Sequence, residues 1–95
     1  MEIIKTINKD TASFTLQGWL DTQTAPEFEA ALNELPDEVK SLTVNCEDLE
    51  YVSSAGVRQI VAAHKKMDNL VLRGVSPEIM EVFRLTGIDK RLNIV

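Results

Sequence analysis

The sequence predicts an α/β domain, a mixed sheet with helices packed on it, and three observations carry that prediction. Two β-rich runs at the start are joined by a short polar turn. Strand-like runs then alternate with runs of helical period. Capping or breaking residues bound those helical runs. Alternating strands and helices bury their apolar sides by laying helices on a sheet. The opening hairpin adds an antiparallel member, so the sheet is mixed, with four to five strands.

The elements follow in order. Ile3, Ile4 and Ile7 form a short β-branched run, and Asn8-Lys9-Asp10 supplies the turn. Ala12, Phe14 and Leu16 then alternate with Ser13, Thr15 and Gln17, the period of a half-buried strand ending near Gly18. Thr24-Ala25-Pro26-Glu27 has the form of a capping box with a first-turn proline. Ala25, Phe28, Leu32 and Leu35 recur at helical spacing until Pro36-Asp37 stops the run. Ser41–Cys46 reads as a third strand, and Glu47–Tyr51 as a loop. A second helix begins around Ser54, with Val57, Ile60, Val61 and His64 on the face turned to the sheet.

Leu70-Val71-Leu72 is a fourth strand, ending at Arg73-Gly74. Ser76 is placed to cap a third helix whose first residue is Pro77, and Gly87 to end it. Ile79, Val82 and Phe83 give that helix its apolar side. Leu92–Val95 closes the chain as a short strand.

Size and charge narrow what such a domain does. Ninety-five residues make one core, so residues 1–95 form a single domain. Hydrophobic residues are 44% and charged residues 26%, an ordinary globular balance. The net charge is −5, and the densest basic cluster is His64-Lys65-Lys66. Binding to a nucleic-acid backbone or an anionic membrane surface needs a basic patch, so neither is an expected partner. No apolar stretch approaches the roughly 20 residues that span a bilayer, so no membrane insertion is expected. The N-terminus has no signal-peptide pattern, and Cys46 stands alone without a disulfide partner. The expectation is a cytoplasmic protein.

Val52-Ser53-Ser54-Ala55-Gly56-Val57 is the segment with most chemical content. A helix N-terminus exposes unpaired N–H groups and the positive end of the helix dipole. A serine there ordinarily caps the helix. Small Ala55 and Gly56 beside it would keep the surface flat enough for another protein to approach. A phosphate on serine at this place would be tolerated by the dipole and conspicuous to a partner.

Four segments give a resemblance that runs essentially end to end. They are Gly18-Trp19-Leu20-Asp21-Thr22, Thr24-Ala25-Pro26-Glu27-Phe28, Leu49 to Arg58, and the closing pieces Val75-Ser76-Pro77-Glu78 with Leu85-Thr86-Gly87-Ile88. Together they resemble the STAS-domain proteins of the anti-sigma factor antagonist family. The resemblance implies a STAS fold. It implies that an anti-sigma factor with serine kinase activity binds the unphosphorylated domain, releasing a sigma factor, and phosphorylates Ser54. A separate phosphoserine phosphatase then resets the switch. The domain is substrate and ligand rather than catalyst, and needs no cofactor. Many members carry aspartate immediately before the phosphorylated serine, where this chain has Ser53. Ser53 is therefore a secondary phosphorylation candidate. An alternative role is a non-phosphorylated STAS subunit of a lipid-transport ATPase or sensory complex.

The expected partner-binding surface comprises Trp19, Asp21, Ser53, Ser54, Ala55, Gly56 and Arg58. Trp19 is an interface anchor if exposed, or else packs beneath the first helix. Asp21 either shares the Ser54 surface or closes a turn. Arg58 lies one turn past Ser54, as a rim contact or a solvated side chain. His64 lacks companions at ligand spacing, so no metal site is expected. Cys46 reads as a half-buried small hydrophobe at a strand end. Glycine-rich phosphate loops, zinc spacings and nucleophile elbows are all missing from the sequence, so no catalytic residue is assigned.

Overall fold

The computed structural model describes residues 1–67 and 69–95. The hairpin forms as its pattern predicts: β1 (Glu2–Asn8) runs antiparallel to β2 (Thr11–Leu20), with Asn8 opposite Thr11 and Lys9 in the left-handed region. Then come α1 (Ala25–Asn33), β3 (Ser41–Val52), α2 (Ser54–Lys66), β4 (Asn69–Arg73) and α3 (Pro77–Thr86). A 3-10 turn, Ile88–Lys90, leads to β5 (Asn93–Ile94). The sheet order is β1-β2-β3-β4-β5, with β2 through β5 parallel.

That order fixes where the helices lie. The successive strand–helix–strand crossovers step outward in one direction, and crossovers are of one hand. All three helices therefore fall on one face of the sheet. Burial agrees: Phe14, Leu16, Leu42, Val44, Leu70 and Leu72 are fully buried on the helical face. Their alternates Ser13, Thr15, Gln17, Thr43, Asn45 and Val71 are only half-buried on the other face. The helices answer with Phe28, Ile60, Ile79 and Phe83. Phe14 and Phe28 meet edge to face, with centroids 6.2 Å apart. One continuous core results.

Four details depart from expectation. The segment Glu47–Tyr51 is strand, not loop: β3 continues to Val52 beside the end of β2. Its alternation is disguised by two register shifts, after Thr15 and after Gly18, each leaving one extra residue on β3. The Thr24 capping box does not form. Thr24 makes no side-chain cap bond; its own N–H donates to Asp21 Oδ1 at 3.1 Å. The first helix ends at Asn33, so Leu35 lies just past it, half-buried. Cys46 is mid-strand and fully buried rather than half-buried at an end, and burial pushes its thiol pKa up to about 12.

The third helix matches its punctuation. Ser76 Oγ accepts from the Ile79 N–H at 3.2 Å, Pro77 is the first helical residue, and Gly87 ends the helix at φ 76°. An αL residue there is what glycine tolerates best.

Candidate functional site

The site lies at the carboxyl ends of β2 and β3, where the chain turns into α1 and α2. Two nonlocal constraints hold these turns together. The Ser53 N–H donates to the Leu20 carbonyl at 2.9 Å. Gly56 packs directly against the same residue: a Cβ there would sit 2.6 Å from Leu20 O and 2.8 Å from Val52 Cγ2. Gly56 is thus buried, and it lets the first turn of α2 seat on the end of β2. It contributes no exposed flat surface, contrary to the expectation for this residue.

The adjacent serines divide two tasks. Ser53 is the N-cap, with extended backbone (φ −93°, ψ 175°) and Oγ accepting from the Gly56 N–H at 3.2 Å. Ser54 is the first helical residue, exposed, and its hydroxyl makes no hydrogen bond among the described residues. The amides of Ser54 and Ala55 also lack acceptors among the described residues, as first-turn amides do. Ala55 is half-buried beside them. Arg58, one turn on and exposed, shares the Ser54 side of the helix.

Asp21 serves the neighbouring turn. Its Oδ1 accepts from the N–H groups of Gln23 (3.0 Å) and Thr24 (3.1 Å), and its carbonyl accepts from Ala25 N–H at 2.8 Å. The Thr24 hydroxyl closes the loop, accepting from Asp21 N–H at 2.8 Å and donating to the Trp19 carbonyl at 2.7 Å. Asp21 therefore forms the turn through Oδ1, which also lies 3.2 Å from the Thr24 hydroxyl. It stands close to the Ser54 turn because Leu20, its chain neighbour, pairs with Val52.

Trp19 is 56% exposed, which settles its placement: it does not pack beneath α1. Leu20 points into the core, so Trp19 emerges on the helix-free face of the sheet. There it meets Tyr51, 47% exposed, with ring centroids 5.4 Å apart. Sequence reasoning missed Tyr51 because it placed the residue in a loop. The available signal was the apolar pair Leu49 and Val52, whose spacing of three implies one bulged residue between them. Leu20 and Thr24 were also missed as the residues that hold the two turns.

Ten residues separate Ser54 from His64 along α2, about 15 Å of helix. His64 is half-buried, its Nδ1 has no partner among the described residues, and it is no base for Ser54. No cluster of three metal-type ligands occurs among the described residues, and no described helix is long and apolar enough to cross a membrane.

Comparison with known proteins gives the following. A family model described as the STAS domain matches residues 2–95. A protein of Staphylococcus aureus (strain NCTC 8325 / PS 47) named anti-sigma-B factor antagonist is 30% identical over 82 residues, covering 81% of this chain and 76% of that protein. The crystal structure of an anti-sigma factor antagonist from Mycobacterium paratuberculosis superposes with a TM-score of 0.86 at 21% identity, covering 98% of this chain and 83% of that one. The Bacillus cell fate determinant SpoIIAA, solved in its phosphorylated form, gives a TM-score of 0.68 at 19% identity, covering 99% and 91%.

Proposed function

The chain belongs to the STAS-domain family, and from that premise we propose that it acts as an anti-sigma factor antagonist gated by phosphorylation of Ser54. Its partner is an anti-sigma factor with serine kinase activity. The unmodified domain binds that partner and frees a sigma factor; the partner phosphorylates Ser54 with ATP and is released. A phosphoserine phosphatase restores the binding form. The domain takes part as ligand and phosphoacceptor, not as a catalyst.

The observation that carries this reading is the division between the two serines. Ser53 spends its hydroxyl on the helix cap, while the Ser54 hydroxyl is exposed and unengaged among the described residues. A kinase needs a hydroxyl that can leave the surface without undoing a turn. Ser54 meets that requirement, and Ser53 does not. The family's aspartate at the position of Ser53 fits the same logic, because aspartate and serine are comparably good N-caps. This substitution keeps the turn intact and leaves the reactive neighbour where it was. Further support comes from the name of the Staphylococcus relative and from the phosphorylated form of SpoIIAA.

One phosphate is large enough to act as the switch. It brings about −1.5 to −2 charges near neutral pH. Opposite a single partner carboxylate at about 6 Å, with an effective dielectric of 20–40, the repulsion is roughly 2–5 kcal/mol. Binding would weaken by tens to thousands of fold. On this chain the phosphate would lie beside the first-turn amides of α2 and near Arg58, where the helix dipole favours negative charge.

The test is incubation with a cognate anti-sigma kinase and ATP, followed by intact mass and site mapping. One added phosphate on Ser54 is the expected result. An unchanged mass, under conditions that phosphorylate a control antagonist, would refute the switch.

A further inference from the structure

The helix-free face of the sheet carries an exposed aromatic pair, on the side of the sheet opposite the three helices. Trp19 and Tyr51 stand in register at the carboxyl ends of β2 and β3, their rings in tilted contact at 5.4 Å. Both rings are about half exposed, so two large aromatic surfaces remain wet beside each other. The next row of the same face places Glu2, Gln17 and Asp48 side by side across three strands. The exposed residue Glu50 is extra in the second register shift and falls between Asp48 and Tyr51. Farther along the sheet, Arg73 is registered with Asn45, beyond this row.

By register, the carboxylate residues Glu2 and Asp48 lie in the row next to the aromatic pair, and the exposed residue Glu50 lies on β3 between that row and Tyr51. Aromatic faces attract cations through their quadrupoles, and arginine stacks on them while its guanidinium pairs with carboxylates. We propose that this end of the open sheet face is a docking surface for an arginine-bearing segment of a protein partner. The guanidinium lies over Trp19 or Tyr51, and Asp48 and Glu50 take its N–H groups. A second copy of this chain is a poor occupant, because it would set the same carboxylates against one another. The surface does not require modification of Ser54, which belongs to the first turn of α2, a helix packed on the other face of the sheet.

Trp19 is the sole tryptophan, so its fluorescence reports the surface directly. The probe is a synthetic peptide of four Arg-Gly-Gly repeats, compared with its Lys-Gly-Gly counterpart at low salt. The expected result is a saturable change in Trp19 emission, tighter for the arginine peptide by about threefold or more and weakened by added salt. Tyr51→Ser should weaken binding by about fivefold, as should the pair Asp48→Asn with Glu50→Gln. Calorimetry on Trp19→Ser gives the same comparison without the fluorophore, and far-UV circular dichroism confirms that each variant folds. Asn69→Ala, at the opposite end of the sheet, should bind the peptide as the parent does, which ties the response to this end of the face. No saturable change up to millimolar peptide would overturn the proposal. So would equal affinity for both peptides, undiminished binding by the folded Tyr51→Ser variant, or a Trp19 response that tracks self-association instead.

Discussion

Ser53 and Ser54 are neighbours in sequence but lie on opposite sides of the point where strand becomes helix. The Ser53 N–H is tied to the Leu20 carbonyl, which holds its backbone extended and turns its hydroxyl onto the Gly56 amide. One residue later the chain is helical, and the Ser54 side chain points out. The two positions should therefore respond oppositely to substitution. Ser53→Ala removes a cap and should cost about 1 kcal/mol, visible as a lower urea midpoint at unchanged m-value. Ser53→Asp should restore most of that loss. Ser54→Ala should leave stability within about 0.5 kcal/mol, yet remove the phosphate acceptor. Ser54→Asp adds a carboxylate to the first turn of a helix, where the dipole favours it. Its stability should hold or rise slightly while its affinity for the anti-sigma kinase falls at least tenfold, measured by calorimetry. If Ser54→Asp destabilised the fold while Ser53→Ala did not, the assignment of cap and acceptor would be reversed.

At the scale of elements, the decisive contact is α2 against the end of β2, and a glycine makes it possible. The Cβ of Gly56→Ala would press on the Leu20 carbonyl, and Leu20 is itself fully buried, so neither partner can move freely. The expected cost is about 1–3 kcal/mol. The first turn of α2 should also shift, so phosphorylation of Ser54 should slow even at temperatures where the variant is fully folded. Denaturant unfolding and a kinase time course on the same preparation check both effects. This contact also shows how far the sequence could be read. The strand–helix order, the opening hairpin and the boundaries of α3 were legible because their signals are local: alternation, Ser76-Pro77 and Gly87. The length of β3 was not, because Glu47, Asp48 and Glu50 break the alternation and only pairing with β2 restores it. The choice between Ser53 and Ser54 as cap was hidden for a similar reason. It depends on a hydrogen bond to Leu20, a residue 33 positions earlier. Thr24 misled because its N–H donates to Asp21 Oδ1 while its hydroxyl is taken up by the Asp21 N–H and the Trp19 carbonyl, which leaves nothing for the expected box.

The molecule as a whole has one core, and Cys46 reports on it. The thiol lies fully buried in the cluster that joins sheet and helices, so a reagent reaches it only when that cluster opens. In the native protein, alkylation should follow the population of the open form, so destabilised variants such as Gly56→Ala should label about tenfold faster for each 1.4 kcal/mol of stability lost. The same thiol makes the fold sensitive to alkali, with a sign that follows from linkage. Burial raises its pKa from 9.0 to about 12 in the folded state. Below pH 9 both states hold the proton, and the thiol adds no pH dependence. Between pH 9 and 12 the unfolded chain has lost the proton and the folded chain keeps it, so stability falls as pH rises. The slope approaches about 1.4 kcal/mol per pH unit for one proton. Replacing the thiol by Cys46→Ala should lower stability near pH 7 through the space it leaves, but should flatten the decline above pH 9. Urea midpoints measured from pH 7 to 10.5 for the two proteins would show their curves converging. Parallel curves would mean that the thiol binds its proton alike in the folded and unfolded chain and that other groups govern the alkaline limit.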